Sequence, residues 1–210
     1  PLQVLTNTLY LLGEGAKTTP SSQMAELLEK NRPVLLETME EQVGYMNKIV
    51  SDLQDYARPL KPELTPTNLG RLMDEILSDT NVPKIIDVSV EIEENVRELN
   101  LDHGLVKRAF TNLVTNAVQA MPDGGRLTVR AFKADGIALI SIQDTGAGVP
   151  KEHLEKVFNP MFTTKAKGQG FGLPACKRII EAHGGTISLE SAEGKGTTVS
   201  ITIPITDKVG

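Results

Sequence analysis

Three short motifs in the second half of the chain contain residue types that could bind a nucleotide. They are NLVTNA at residues 112–117, DTGAG at 144–148 and GQGFGL at 168–173. Glycines allow backbone N–H groups to come close to phosphate oxygens, and the N-terminus of a following helix adds a favourable dipole. Each motif alone has a plainer interpretation, as polar helix residues, a strand-to-loop turn or a flexible hinge. Their occurrence together and in this order favours a single nucleotide pocket.

Particular side chains in the first two motifs suit particular parts of a nucleotide. Asn116 could offer an amide oxygen to Mg²⁺, which prefers oxygen ligands and keeps several waters. Asp144 ends the apolar strand predicted at 137–142, and its carboxylate can only accept hydrogen bonds when ionised. It would therefore select the exocyclic amine of adenine over the carbonyl of guanine. Gly146 and Gly148 let the backbone turn beneath the base.

The third motif precedes a predicted helix and suits a phosphate chain. Gly168, Gly170 and Gly172 come just before an apolar-periodic helix at about 173–183. Pro174 fits the first turn of that helix, where its missing N–H costs nothing. The sequence therefore predicts phosphate contacts at this helix N-terminus.

With two further motifs, these residues resemble the ATP-binding domain of sensor histidine kinases, within the gyrase–chaperone–histidine kinase–mismatch-repair superfamily. The resemblance is strong over about residues 60–206 and weaker back to residue 1. The five motifs look like the N box (112–117), the first glycine box (144–148), the F box and start of the ATP lid (158–165), the second glycine box (168–173) and a closing Gly-Thr motif (194–198).

The resemblance implies a site for ATP and Mg²⁺. Asn116 would hold the metal, and Lys165 with the glycine-box amides would offset phosphate charge, although Lys165 could equally be a solvated lid residue. Phe158 and Phe162 would anchor the lid, and Thr197 would bond near adenine beside Asp144. The nucleotide-binding residues carried over are Asn112, Asn116, Asp144, Gly146, Gly148, Phe158, Phe162, Thr164, Lys165, Gly168, Gly170, Gly172, Leu173 and Thr197.

One departure separates this chain from the hydrolysing members of the superfamily, which have a Glu four residues before the metal-binding Asn. Asn112 stands there, and an amide cannot take a proton from water at neutral pH. Because Asn112 cannot act as the base, the sequence predicts very slow ATP hydrolysis and a kinase role. Asn112 is the one candidate catalytic residue in the chain. The alternatives are an ATP-driven clamp or chaperone-like machine without phosphoryl transfer, and a purely ATP-sensing regulatory dimer.

No histidine in the chain has the context of a phosphoacceptor. Pro1-Leu2 looks like the end of the family's His-Glu-x-x-Asn-Pro-Leu box, so the resemblance implies that the phosphorylated histidine precedes Pro1. We expect structural or surface roles for His103, His153 and His183. We also interpret the absence of an initial Met as the start of a fragment, which leaves open a membrane anchor upstream.

The elements that must position the site predict an α+β protein with two domains. Residues 1–60 would form an antiparallel helical hairpin, and 61–210 an ATP-binding two-layer α/β sandwich with helices on one face of a mixed sheet. The Pro-rich stretch 58–66 would be a connector. Helices are predicted at 2–12, 22–58, 69–79, 102–121 and 173–183, and strands at 88–92, 126–133, 137–143, 186–191 and 197–204.

An apolar heptad pattern follows Pro33, which should start a new helix or kink the existing one. Steps of three and four make one seam of the coiled-coil or four-helix-bundle type, widened by Leu35, Ile49 and Tyr56. We expect a dimer that forms a four-helix bundle, although the helix could instead pack on its own domain. The seam consists of Leu36, Met39, Val43, Met46, Val50, Leu53, Ala57 and Leu60.

Composition is ordinary for a soluble protein, with 40% hydrophobic and 23% charged residues. The net charge of −5 gives no reason to expect nucleic acid or an anionic membrane as a partner. Cys176 is the one cysteine, so an internal disulfide is impossible and a cytoplasmic location fits. No apolar run approaches the ~20 residues of a membrane span. The expected partners are a second copy of the chain and, from the resemblance, a response-regulator receiver domain.

Overall fold

The computed structural model describes residues 22–57, 59–164 and 170–205. The chain divides into two compact units between residues 58 and 59. The helix predicted at 2–12 lies outside the described residues. None of the helices in the described ranges has the length and apolar run that a membrane crossing needs.

Helix α1 (Ser22–Ala57) is the described part of the first unit and is 36 residues long. Pro33 lies inside this one helix, so the helix neither ends nor restarts there. The helix ends before Leu60, which packs against the core of the second unit; the seam predicted to reach Leu60 is wrong at that position. Much of the apolar seam is open to solvent, with exposed fractions of 48% at Leu36, 44% at Val43, 52% at Val50 and 50% at Leu53.

The second unit contains seven strands and three α-helices among the described residues. In chain order they are β1 (Thr65–Asn68), α2 (Leu69–Thr80), β2 (Ile86–Ile92), β3 (Glu98–Leu101), α3 (His103–Ala120), β4 (Gly125–Ala134), β5 (Ile137–Asp144), α4 (Gly172–Ala182), β6 (Thr186–Ala192) and β7 (Gly196–Pro204). Short 3₁₀ turns cover Glu94–Val96 and Lys151–Lys156.

Five strands form one mixed sheet in the spatial order β2-β4-β5-β7-β6. β2 runs parallel to β4, and the other neighbouring pairs are antiparallel. Successive side chains point to opposite faces of a strand, and in β5 the residues Ala138, Ile140, Ile142 and Asp144 are buried on one face. Helices α3 and α4 contact the sheet and each other, while α2 packs on α3. The α+β sandwich predicted from the sequence is confirmed.

Helix α3 carries much of the core because its apolar side chains recur at helical spacing. Val106, Phe110, Leu113 and Val114 are buried against the sheet and the neighbouring helices. The remaining face of α3 is therefore available to hold polar residues at a fixed position over the sheet.

The stretch predicted as a bare connector in fact contains a strand. β1 pairs antiparallel with β3 in a separate two-stranded sheet, with Pro66 opposite Asn100. Thr67 is buried, and its hydroxyl donates to the Leu101 carbonyl at 3.3 Å. Neither strand was predicted, because each is only four residues long and β1 contains a proline, which lacks the N–H that most strands use.

Asp102 joins three parts of the second unit at the start of α3. Its carboxylate caps the helix by accepting from the Leu105 N–H at 3.0 Å and also accepts from the Glu63 N–H at 3.0 Å. Its own N–H donates to His183 Nε2 at 3.0 Å, while His183 Nδ1 lies 2.7 Å from the Ile179 carbonyl at the end of α4. His183 therefore has a structural position between α3 and α4.

We predict that Asp102→Ala lowers the free energy of unfolding by about 1–2 kcal/mol at pH 7, the usual cost of losing such a cap. Partial burial acts to raise the pKa of the Asp102 carboxyl, but the hydrogen bonds from the Leu105 and Glu63 N–H groups outweigh it and hold that pKa below 3.8. The lowered pKa means that the charge stabilises the fold above pH 3.8 and that this contribution disappears as pH falls through the folded-state pKa.

Asp102→Asn is the matched control, since asparagine also caps helices but carries no charge. Urea unfolding followed by circular dichroism should show a gap between wild type and Asp102→Asn that narrows below pH 4. A gap that is the same at pH 3 and pH 7 would contradict the role given to the charge.

Candidate nucleotide-binding site

Asp144 is the last residue of β5 and lies on the helix-covered face of the sheet, with 6% of its surface exposed. Its Oδ1 accepts from the Gly146 N–H at 2.8 Å and from the Thr197 N–H at 3.2 Å. Thr197 is its register partner on β7. Burial of a carboxylate is costly unless hydrogen bonds compensate, and these two backbone donors also hold the carboxylate in one orientation.

The loop after Asp144 is pressed between the end of α3 and the β6–β7 hairpin. The Ala147 N–H donates to the Ala120 carbonyl at 3.0 Å, and the Gly194 N–H donates to the Ala147 carbonyl at 2.7 Å. A Cβ on Gly146 would overlap the Ala120 backbone, and a Cβ on Gly148, whose φ is +70°, would overlap the backbone of Ala192. These glycines are required by close contacts between protein segments, in addition to any approach to a base.

Asn112 and Asn116 lie one turn apart on the face of α3 that meets the start of α4. Asn116 Nδ2 is 3.9 Å from where a Cβ on Gly172 would lie, and Asn112 hydrogen-bonds the Cys176 thiol. The motif at 112–117, which contains both asparagines, and the motif at 168–173, which contains Gly172, are therefore neighbours in the structure. Because α3 rises about 1.5 Å per residue, Asn116 is only about 6 Å along the axis from Ala120 and its contacts with the glycine loop.

Cys176 is buried in this contact and was not singled out as part of the site from the sequence. Its Sγ donates to the Ala109 carbonyl at 3.2 Å. Burial raises the pKa of the thiol to about 12, while the hydrogen bond with Asn112 and the charge of Arg108 act in the opposite direction. The group therefore stays neutral at physiological pH and serves packing between α3 and α4, not nucleophilic chemistry.

The N-terminus of α4 begins at Gly172, one turn before Cys176. The preceding residue, Phe171, is buried and makes no side-chain cap. The first N–H groups of a helix have no partner within the helix and attract negative charge. Leu173 packs partly against the core, which fixes this helix end beside Asn116.

The described residues on either side of 165–169 are joined by a backbone hydrogen bond. The Met161 N–H donates to the Gly170 carbonyl at 3.0 Å. Phe162 packs against the His153 ring with centroids 5.4 Å apart, and Lys177 Nζ on α4 lies 5.9 Å from the Phe158 ring centre. Both phenylalanines thus contact the surrounding protein, and their role as lid anchors stays a prediction. Thr164 is exposed, and Lys165 and Gly168 lie outside the described residues.

Two open surface clefts lie elsewhere in the second unit, on either side of Arg71. One has a volume of about 510 Å³ and is lined by β1, Glu75, Glu98 and His103. The other, of about 470 Å³, lies between the start of α2 and the edge strand β2. Their linings mix acidic and basic side chains and include none of the residues carried over from the motifs, so the motif cluster remains the candidate site.

The profile of the family described as histidine kinase-, DNA gyrase B-, and HSP90-like ATPase matches residues 101–207. Sporulation kinase C of Bacillus subtilis is 33% identical over 171 residues, which cover 78% of this chain and 39% of that protein. The chain therefore spans well under half the length of that relative.

Solved structures of histidine kinases are also similar to this chain. The catalytic domain of histidine kinase ThkA is similar with a TM-score of 0.61 and 32% identity, over 68% of this chain and 96% of that domain. ThkA in complex with the response regulator protein TrrA is similar with a TM-score of 0.70 over 97% of this chain and 58% of that one. At 24% identity, the second likeness shows only the fold.

We predict that Gly170→Ala weakens adenosine nucleotide binding about tenfold, or about 1.4 kcal/mol. A Cβ there would come within 2.5 Å of the Met161 carbonyl carbon and 2.6 Å of the Phe162 N and O, which must separate the base of the lid. Overpacking of this kind commonly costs 1–3 kcal/mol.

Gly136→Ala is the matched control for this measurement. Gly136 has a φ of +78° against +71° for Gly170, but a Cβ there would meet nothing within 4 Å. Both variants carry the cost of an L-residue in the left-handed region, so calorimetric titration with ADP compares only the overlap at the lid. Equal affinity in the two variants would contradict the assignment.

Proposed function

The chain belongs to the histidine kinase-, DNA gyrase B- and HSP90-like ATPase family, and we propose that it is the ATP-binding catalytic part of a protein-histidine kinase. It binds Mg-ATP and transfers the γ-phosphate to a histidine on the dimerisation helices, for onward transfer to an aspartate of a response regulator. The buried Asp144 carboxylate, held by Gly146 and Thr197 beside the α3–α4 contact, is the observation that carries this proposal.

The base is recognised by Asp144. An ionised carboxylate accepts hydrogen bonds and cannot donate them, so it attracts the amino group of adenine and repels the carbonyl of guanine. Its fixed orientation supports this role, because a preorganised acceptor loses little freedom when the base arrives. Thr197, across the β5–β7 pair, contacts the same edge of the base.

The phosphates bind between Asn116, the N-terminus of α4 and the lid. The helix N-terminus at Gly172 and the backbone of Gly170, which has no side chain, suit a phosphate chain. Lys165, outside the described residues, would add a positive charge from the lid. Phe158 and Phe162 would anchor the start of the lid, as the family resemblance implies.

The residues present fit a magnesium ion shared with the nucleotide. Within the described ranges, no group of three or more His, Cys, Asp or Glu could hold a metal by itself. The Asn116 amide oxygen can contribute one ligand, and phosphate and water would supply the others, an arrangement that Mg²⁺ favours. Bound there, Mg²⁺ would neutralise phosphate charge.

Transfer to protein is preferred over transfer to water because an amide stands at the position where the hydrolysing members have their general base. Asn112 occupies the position of the catalytic Glu in the hydrolysing members, and an amide cannot take a proton. Its neighbour Cys176 has a pKa of about 12 and is no better as an acceptor near neutral pH. This argues against the clamp or chaperone-like alternative, which needs turnover of ATP.

The acceptor histidine is proposed to lie on the helical hairpin, outside the second unit. His103, His153 and His183 all belong to the ATP-binding unit, and His183 is held by Asp102 and Ile179. The half-exposed seam of α1 supports pairing with a second copy of the chain as a four-helix bundle. ThkA, whose catalytic domain is 32% identical to the matched part of this chain, has been solved with the response regulator protein TrrA, and on this basis we propose a response regulator as partner. We infer a cytoplasmic location for this part of the protein because its proposed substrate is ATP.

We predict that Asp144→Asn weakens binding of Mg-ADP roughly 10- to 100-fold, since a hydrogen bond to a charged group contributes about 1.5–3 kcal/mol. Asp135→Asn makes the same chemical change on the exposed β4–β5 hairpin and should bind like wild type. Calorimetry measures the affinity of each variant, and circular dichroism checks that each variant is folded. Wild-type affinity in an Asp144→Asn protein with a native spectrum would refute the assignment.

We also expect the 210-residue chain to hydrolyse ATP at least about a hundredfold more slowly than the typical enzyme rate of about 10 s⁻¹. The complete protein, incubated with ATP labelled in the γ-phosphate, should acquire acid-labile phosphate on histidine. Rapid steady-state hydrolysis without any acid-labile phosphate on the protein would favour the clamp.

A further inference from the structure

Ser191 on β6 is a polar residue that the motifs did not single out, and it lies at the centre of a small hydrogen-bond network. Its Oγ is 2.8 Å from the Gly196 carbonyl oxygen, 2.8 Å from the Val149 nitrogen and 3.0 Å from Thr197 Oγ1. Ser191 shares the inward face of β6 with Ile187 and Leu189. It therefore contacts Thr197 on the same side of the sheet as Asp144.

The proton directions in this network follow from the chemistry of its members. The Gly196 carbonyl can only accept, so the single proton of the Ser191 hydroxyl is donated to it. The Val149 N–H can only donate, and it occupies one lone pair of Ser191 Oγ. The remaining lone pair of Ser191 faces Thr197, so the Thr197 hydroxyl must donate its proton to Ser191.

This direction determines what Thr197 can offer to a ligand. With its proton directed at Ser191, the Thr197 hydroxyl presents only lone pairs to its surroundings. Its register partner Asp144 is also an acceptor. The two side chains together form an edge that has acceptors and no donor.

We propose that Ser191 is a positioning residue for base specificity: it fixes the Thr197 hydroxyl as a hydrogen-bond acceptor beside Asp144, so that the site takes purine nucleotides carrying a 6-amino group. This rests on the proposed function, in which Asp144 and Thr197 contact the base. The 6-amino group has two N–H donors, one for each acceptor. A 6-oxo purine such as inosine presents an oxygen there and meets two acceptors.

The same residue also has a structural part, since its bonds to Val149 and Gly196 join the glycine loop to the hairpin. If the role of Ser191 were purely structural, its loss would lower the affinity for all nucleotides by the same factor. A role in proton direction changes the ratio between 6-amino and 6-oxo nucleotides, because a freed Thr197 hydroxyl can rotate and donate to the inosine oxygen. The ratio of affinities therefore separates the two roles.

The test measures dissociation constants of ADP and IDP by calorimetry, with Mg²⁺ and the 210-residue chain. Wild type should prefer ADP, and Ser191→Ala should reduce that preference about tenfold. Thr197→Val removes the acceptor and should reduce the preference by a similar factor. The double variant should prefer ADP over IDP by the same factor as the single variants, because the two residues act through one hydroxyl.

Ser188→Ala is the control, since Ser188 lies on the same strand with its side chain on the exposed outer face, and its preference should equal that of wild type. Ser191→Thr, which keeps a hydroxyl, should retain the preference. A Ser191→Ala protein that loses affinity for ADP and IDP equally would overturn the proposal. If the Ser191→Ala protein loses its native circular dichroism spectrum, the Thr197→Val protein provides the test. A ratio of ADP to IDP affinity in Thr197→Val equal to that of wild type would overturn the proposal. A wild-type chain that binds neither nucleotide refutes the proposed function itself.

Discussion

The second unit depends on one buried carboxylate at the end of a central strand. Asp144 accepts N–H groups from Gly146, in the loop that follows it, and from Thr197, on the neighbouring strand. Burial of a carboxylate is costly, and both donors offset part of that cost. The same two bonds bring the glycine loop and the β6–β7 hairpin to one point, so the requirement for satisfying a buried charge also builds the wall of the candidate site.

Helix α3 forms the other side of the candidate site. Its apolar face forms much of the core, and rotation of the helix would expose that face to water. Asn112 and Asn116 are thereby held against the start of α4, while Ala120 contacts the loop after Asp144. A helix fixed by its core can therefore position polar residues at two other elements at once, which is what a site assembled from distant motifs needs.

The sequence allowed prediction of the parts of the fold that have local signatures. The α2, α3 and α4 helices, and the strands of the large sheet, were expected from periodicity and caps, with bounds close to those found. The β1–β3 pair was missed because four-residue strands have no detectable alternation. Ser191 and the Asn112–Cys176 contact were missed for a different reason: they depend on which strands and helices become neighbours. The glycines at 146 and 148 were expected, but their main contacts, with the protein backbone itself, were not.

A crystal structure of the second unit's nucleotide site, obtained from the whole chain with ADP and Mg²⁺, tests the central claim most directly. The account predicts that the 6-amino group of adenine lies within hydrogen-bond distance of the Asp144 carboxylate, with the phosphates at the N-terminus of α4 beside Asn116. Electron density for ADP in one of the clefts around Arg71, with Asp144 in contact only with protein, would contradict it.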